Sequence, residues 1–139
     1  MTTSELTHKL KTYQNIDDFL LENEYEFDEN AFRSFLEDLL QRRNINITTL
    51  ALESGVSVPY AYSLFSGRKN APRKDILLRL AFGLALGVDE TNRLLTLGGV
   101  SELRTKTRRE SVIYFCLDNN RTIDETDELL HKYKLDTLL

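Results

Sequence analysis

An all-α protein is predicted for this chain, and three observations carry that prediction. Apolar residues recur at i, i+3 and i+4 in several separate stretches, the spacing of a helix with one buried face. Two prolines and six glycines in 139 residues leave room for little besides helices and short turns. One stretch, residues 46–69, has the residue types that two helices need to meet at a tight corner. The expected layout is an acidic N-terminal extension over residues 1–28, a five-helix core over 29–99, and an added C-terminal helical hairpin over 100–139.

In the extension, Ile16, Phe19 and Leu20 have helical spacing, with Asn15 or Asp17 as caps. A mobile start followed by a short helix docked through Phe19 and Leu20 is expected there, before an acidic block from Glu22 to Glu29. The first strong helix should run from about Glu29 to Arg43, because Phe32, Phe35, Leu36, Leu39 and Leu40 form one stripe. Asp28 suits its N-cap, Phe27 can staple onto Phe32, and Arg42 and Arg43 suit its C-terminal dipole. The corner helices follow at about Thr48–Ser54 and Val58–Phe65. A helix over Arg73–Leu86 buries Ile76, Leu77, Leu80 and Leu84. A shorter one over Glu90–Leu97, capped by Asp89, is stopped by Gly98-Gly99.

The tail repeats this last pair. Residues 73–95 align with 108–130 at a constant offset, and Val88-Asp89-Glu90-Thr91-Asn92-Arg93-Leu94-Leu95 meets Ile123-Asp124-Glu125-Thr126-Asp127-Glu128-Leu129-Leu130. Either one helical hairpin is used twice, or two hairpins converged on the same capping chemistry. Helices over about Thr107–Leu117 and Asp124–Lys134 are expected to pack on the core or on a second subunit, with Ile113, Leu117, Leu129 and Leu130 as the buried surface.

At the corner, each residue type has a steric reason. Ala51 is small where a second helix crosses above it. Gly55 supplies the positive φ that a short turn needs. Val56, Ala61 and Leu64 face inward with Leu50. Ser57 is placed to cap the second helix, with Pro59 in its first turn, where a missing N–H is harmless. This pattern, ending in Leu64-Phe65-Ser66-Gly67, resembles the lambda-repressor-like (Xre-type) helix-turn-helix family over about residues 31–98. Where that family usually carries a glutamine, Thr49 stands.

The resemblance implies double-stranded DNA as the partner and the helix beginning near Ser57 as the reader of the major groove. Position by position, it places Val58, Pro59, Tyr62 and Ser63 at base edges, where Val58 and Pro59 suit thymine methyls. Phosphate candidates are Thr48 and Thr49 at the first helix, Tyr60 on the second, and Ser66, Arg68, Lys69 and Arg73 in and after the loop. A sequence-specific transcriptional regulator follows, acting as a homodimer through the C-terminal helices. The alternative is a protein-interaction module, an adaptor or antitoxin-like partner that uses the fold without reading DNA.

The formal net charge of −4 becomes informative once it is divided. Residues 1–30 carry two basic and eight acidic side chains, residues 31–99 nine and six, and residues 100–139 seven and eight. The core is therefore locally basic, with Arg68, Lys69, Arg73, Lys74 and Arg79 close behind the reading helix. Local rather than total charge sets attraction to phosphates.

Other classes find little support. His8 and His131 are isolated, and neither has metal-ligand spacing. No Gly-rich phosphate loop is present, so neither catalysis nor a cofactor is expected. Cys116, between Phe115 and Leu117, reads as a small buried hydrophobe rather than a redox sensor. No apolar run approaches the roughly 18 residues of a membrane span, and the polar start is unlike a signal peptide, which predicts a cytoplasmic protein.

Overall fold

A computed structural model describes residues 2–12, 14–17, 30–66 and 72–139. Among them are eight helices and no strand, so the protein is all-α. None of these helices is long and apolar enough to cross a membrane. The chain divides into two compact units, Met1–Ala31 and Phe32–Leu139.

The described part of the first unit is α1, Thr3–Leu10, which the periodicity argument did not foresee. A capping box starts it: Thr2 Oγ1 accepts from Glu5 N–H at 3.1 Å, and Glu5 Oε2 accepts from Thr2 N–H at 3.0 Å. Local capping chemistry marks this helix, which has no buried residue of its own. Further along, Asn15 Oδ1 accepts from Asp17 N–H at 2.8 Å. Phe19, Leu20, the acidic block and the Phe27–Asp28 cap lie outside the described residues.

The second unit holds α2 (Ala31–Arg43, all but its first residue), α3 (Ile47–Ser54), α4 (Val58–Ser63), α5 (Lys74–Gly83), α6 (Val88–Leu97), α7 (Arg108–Asp118) and α8 (Ile123–Lys132). Six of them end in the same way. A residue with positive φ follows the helix, and the next N–H donates back to a carbonyl five residues earlier. The six are Asn44, Gly55, Ala85, Gly99, Asn120 and Lys134, with bonds such as Ile45 N to Leu40 O, Val56 N to Ala51 O and Leu86 N to Ala81 O. This is the Schellman stop. It brings an apolar residue (Ile45, Leu86, Val100 or Leu135) back onto the core at four of the six corners.

One hydrophobic core runs through the unit. Leu36, Leu39 and Leu50 share it with Leu77, Leu80, Leu84, Leu94 and Leu95, and also with Ile113, Leu117, Leu130 and Leu138. The C-terminal hairpin is thus part of the fold's interior, and residue 99 is not a boundary between separate cores. The side chains anticipated as a dimer surface are spent within the chain: Ile113, Leu117 and Leu130 are buried, and Leu129 is half-buried. Cys116 is buried and free, as a small hydrophobe would be.

The offset of 35 is carried into geometry. Ala85 and Asn120 share the positive φ (52° and 55°), as do Gly99 and Lys134 (83° and 60°). Thr91 and Thr126 are both fully buried, each donating to the carbonyl four residues back, Gly87 O at 2.7 Å and Thr122 O at 2.8 Å. Asn92 Oδ1 accepts from Leu103 N–H at 2.9 Å, and Asp127 Oδ1 accepts from Leu138 N–H at 2.6 Å. Lys74 Nζ donates to Ser101 Oγ and Glu102 O, while Arg109 donates to Asp136 O and Thr137 O. One supersecondary unit, with the same capping, buried threonine and cationic rivet, is used twice.

Helix starts differ from the sequence expectation in two places. Asp89 lies in the first turn of α6 rather than at its cap, which is Gly87 without a side-chain bond. Asp124 likewise lies inside α8, whose cap is Thr122 in a capping box with Glu125. Both helices begin one residue past their caps, so an acid two residues past a cap acts through the dipole instead.

Candidate DNA-binding surface

The corner between α3 and α4 is built as its residues dictate. Asn46 caps α3, its Oδ1 accepting from Thr49 N–H at 2.8 Å. The helix therefore begins at Ile47, a residue earlier than Thr48, and the Thr49 N–H that a phosphate was expected to take is already satisfied. Gly55 has φ +70°, and a Cβ there would also run into Leu139 Cδ2. Ser57 Oγ accepts from Tyr60 N–H at 3.2 Å, with Pro59 in the first turn of α4. Leu50, Ala51 and Ala61 are fully buried, while Val56 and Leu64 are half-buried at the edge of the angle. Ser54 meets Gly83 where α3 crosses α5: a Cβ on Gly83 would collide with Ser54 Oγ. That hydroxyl is buried without a hydrogen-bond partner, a cost accepted for close approach of the two helices.

The anticipated base-edge residues fall into two groups. Pro59 and Tyr62 are exposed, Tyr62 at 50%. Val58 and Ser63 are half-buried, and Ser63 Oγ donates to Tyr60 O at 2.6 Å, which ties it to its own helix. Thr48 Oγ1 and Tyr62 Oη lie 3.4 Å apart, so the outer sides of α3 and α4 form one continuous surface. Leu52, 73% exposed, lies on α3 beside them in sequence.

The phosphate candidates separate further. Thr48 is on that surface. Ser66 Oγ donates to Ser63 O at 2.9 Å, closing the end of α4. Arg73 is exposed at the N-cap of α5. Tyr60 is half-buried and lines an open cleft with Ser57, Val56, Arg73, Ile76 and Arg79. Arg68 and Lys69 lie outside the described residues.

Two side chains of the basic cluster are held in place by the fold, Lys74 by a carboxylate and Arg79 by backbone carbonyls, which sequence alone did not reveal. Lys74 Nζ lies 2.8 Å from Glu110 Oε1, and that oxygen also accepts from Arg104 N–H at 2.7 Å. Arg79 Nε donates to Leu138 O at 2.6 Å, and its Nη1 to Gly55 O at 3.5 Å. Arg109 on α7 forks onto Asp75, both bonds at 2.9 Å. That hydrogen bond pushes the Arg109 pKa above its usual value, in line with a fixed charge. The tail thereby docks at the corner. Leu138 is buried, Asp127 holds the Leu138 and Leu139 N–H groups, and Leu139 lies against Gly55. It lies at the turn and leaves Pro59 and Tyr62 open to solvent.

Among the described residues no group of three or more His, Cys, Asp or Glu side chains is placed to hold a metal ion. Comparison with family models, with curated proteins and with solved structures finds no match.

Proposed function

We propose that this protein is a sequence-specific DNA-binding regulator of the lambda-repressor-like, Xre-type helix-turn-helix class, with α4 as the groove reader. The observation that supports it most is the exposed pair Pro59 and Tyr62 on a six-residue helix. That helix is held by a capped, glycine-turned corner, and Arg73 stands at the neighbouring helix start. Pro59 and the edge of Val58 offer apolar contact to thymine methyls, and Tyr62 and Thr48 offer hydroxyls to base edges and phosphates. Arg68, Lys69 and Arg73 supply the sequence-independent attraction. The protein acts in the cytoplasm as a homodimer spanning two half-sites about one helical turn apart. Because Ile113, Leu117 and Leu130 are already buried, that dimer uses outer side chains such as the exposed Phe115 of α7.

The test is selection of bound duplexes from a random pool, followed by anisotropy titrations on the enriched sequence. A recurrent two-half-site element is expected. Arg73→Ala should weaken enriched and random duplexes alike and reduce the log–log salt slope by about one unit. Absence of binding to any duplex at about 50 mM salt sinks the reading, since phosphate attraction is strongest there.

A second reading, a protein-interaction module of the adaptor or antitoxin-like kind, is favoured by Leu52. A leucine 73% exposed on the same corner suits an apolar partner surface better than a polyanion. Leu52→Glu separates the readings. Loss of partner capture with duplex affinity otherwise explained by charge alone favours the module.

A further inference from the structure

The cleft behind the reading helix is unusual in its charge. It is an open cleft of about 400 Å³ between the α3–α4 corner and α5. Val56 and Ile76 are its apolar lining, Ser57 and Tyr60 bring a hydroxyl each, and Arg73 and Arg79 bring two positive charges with no carboxylate among the lining residues. Five cations of the described residues are paired with acids: Arg33 with Glu37, Arg42 with Glu90, Lys74 with Glu110, Arg109 with Asp75 and Arg121 with Glu125. Arg79 differs. Its half-buried guanidinium is held by two backbone carbonyls, Leu138 O and Gly55 O, which fix its orientation and leave its charge uncancelled. The repeat does not call for it either, since the matching position on α7 is Tyr114. A fixed guanidinium, a second arginine at the rim and two hydroxyls are the donor set that a tetrahedral oxyanion takes.

We propose that this cleft is a binding site for a phosphate group, carried by a small phosphorylated molecule or by a DNA backbone. Ser57 and Tyr60 belong to the capped first turn of α4, so occupancy bears directly on how the reading helix is held. The DNA-backbone source rests on the DNA reading above, to which Arg73 already belongs; the small-molecule source does not.

The probe is inorganic phosphate, titrated at constant ionic strength into isotope-labelled full-length protein and followed by amide chemical shifts. Saturable shifts confined to Gly55, Val56, Ser57, Tyr60 and Ile76 are expected. Arg73→Gln should weaken the fitted affinity about tenfold, the loss of one charge-assisted bond. Arg73 is exposed, so this variant keeps its fold, which the unchanged remainder of the spectrum verifies. Shifts spread over every basic surface, or equal affinity in Arg73→Gln, overturn the proposal. Two further arms identify the source. Displacement of phosphate by a short duplex assigns the site to the DNA backbone; simultaneous binding of glucose 6-phosphate and duplex assigns it to a small molecule. Phosphate binding without duplex binding leaves the cleft standing and removes only the DNA reading. Duplex binding without phosphate binding does the reverse.

Discussion

The hairpin α5–α6 and the hairpin α7–α8 carry out the same construction, and their agreements and departures divide structure from function. Where they agree, the residue serves the fold. Leu95 and Leu130 are fully buried, Thr91 and Thr126 bond their own preceding turns, and Lys74 and Arg109 each rivet the two residues before a docked leucine. Where they depart, a local task has intervened. Asn92 holds one N–H where Asp127 holds two, because the second hairpin must also fix Leu139 over Gly55. Arg79 replaces the aromatic of Tyr114, and it is the arginine that reaches the corner. Lys74 and Arg109 are thus the shared rivets of the repeat, while Arg79 stands outside it and bonds the backbone of the tail and the corner.

The largest test of that comparison is truncation after Gly99. The first hairpin shares its core with Ile113, Leu117, Leu130 and Leu138. Each buried side chain of that size is worth about 1.5–3 kcal/mol, so their joint loss exceeds much of a typical domain stability of about 5–15 kcal/mol. The truncated chain should show no cooperative thermal transition by circular dichroism. A sharp transition would make the second hairpin an appendage.

Matched cavities come next. Leu95→Ala and Leu130→Ala, both at fully buried sites, should each cost about 2–5 kcal/mol in urea unfolding. A cost at Leu130 under half that at Leu95 would break the equivalence. Arg109→Gln should cost about 1–2 kcal/mol, discounted because Asp75 is 42% exposed. The same change at Lys74 should cost no more than Arg109→Gln, since its single ammonium lacks the fork. The αL corners give an opposite sign. Ala85 holds φ 52° without the amide that helps Asn120 hold 55°. Ala85→Gly should therefore stabilise by about 1 kcal/mol, while Asn120→Gly changes less.

The smallest effect is in pH. The Glu125 carboxyl lies below its usual value, first because the Thr122 N–H donates to it, then through the Thr122 hydroxyl and Arg121. A depressed carboxylate contributes above its unfolded pKa and loses that contribution as pH falls through the folded one. Glu125→Gln should accordingly narrow the drop in urea midpoint between neutral and acidic pH. An identical acid limb in the variant removes the capping box from the account. Glu110, at the matching turn of α7 rather than α8, bonds Lys74 instead and is not a substitute.

The helices of the second unit, their stripes, the glycine corner and the offset of 35 were legible in the sequence because each depends on residues within a few turns of one another, whereas α1, with no buried stripe, was not. Capping was less so. Asp89 and Asp124 look like caps, yet Schellman stops at Ala85 and Asn120 set the next helix starts at Val88 and Ile123, and only backbone geometry shows that. Chain-distant partners were hidden altogether. Lys74 and Arg79 read alike as members of one basic cluster, and their fates rest on Glu110 and on Leu138 and Gly55. The sequence by itself determined an all-α chain with a doubled hairpin and a capped corner, since helical period and capping are local properties. Tertiary structure alone decided that the tail closes over the corner and that the C-terminal apolar residues face inward. Those outcomes are set by which surfaces meet when far parts of the chain bury their leucines together.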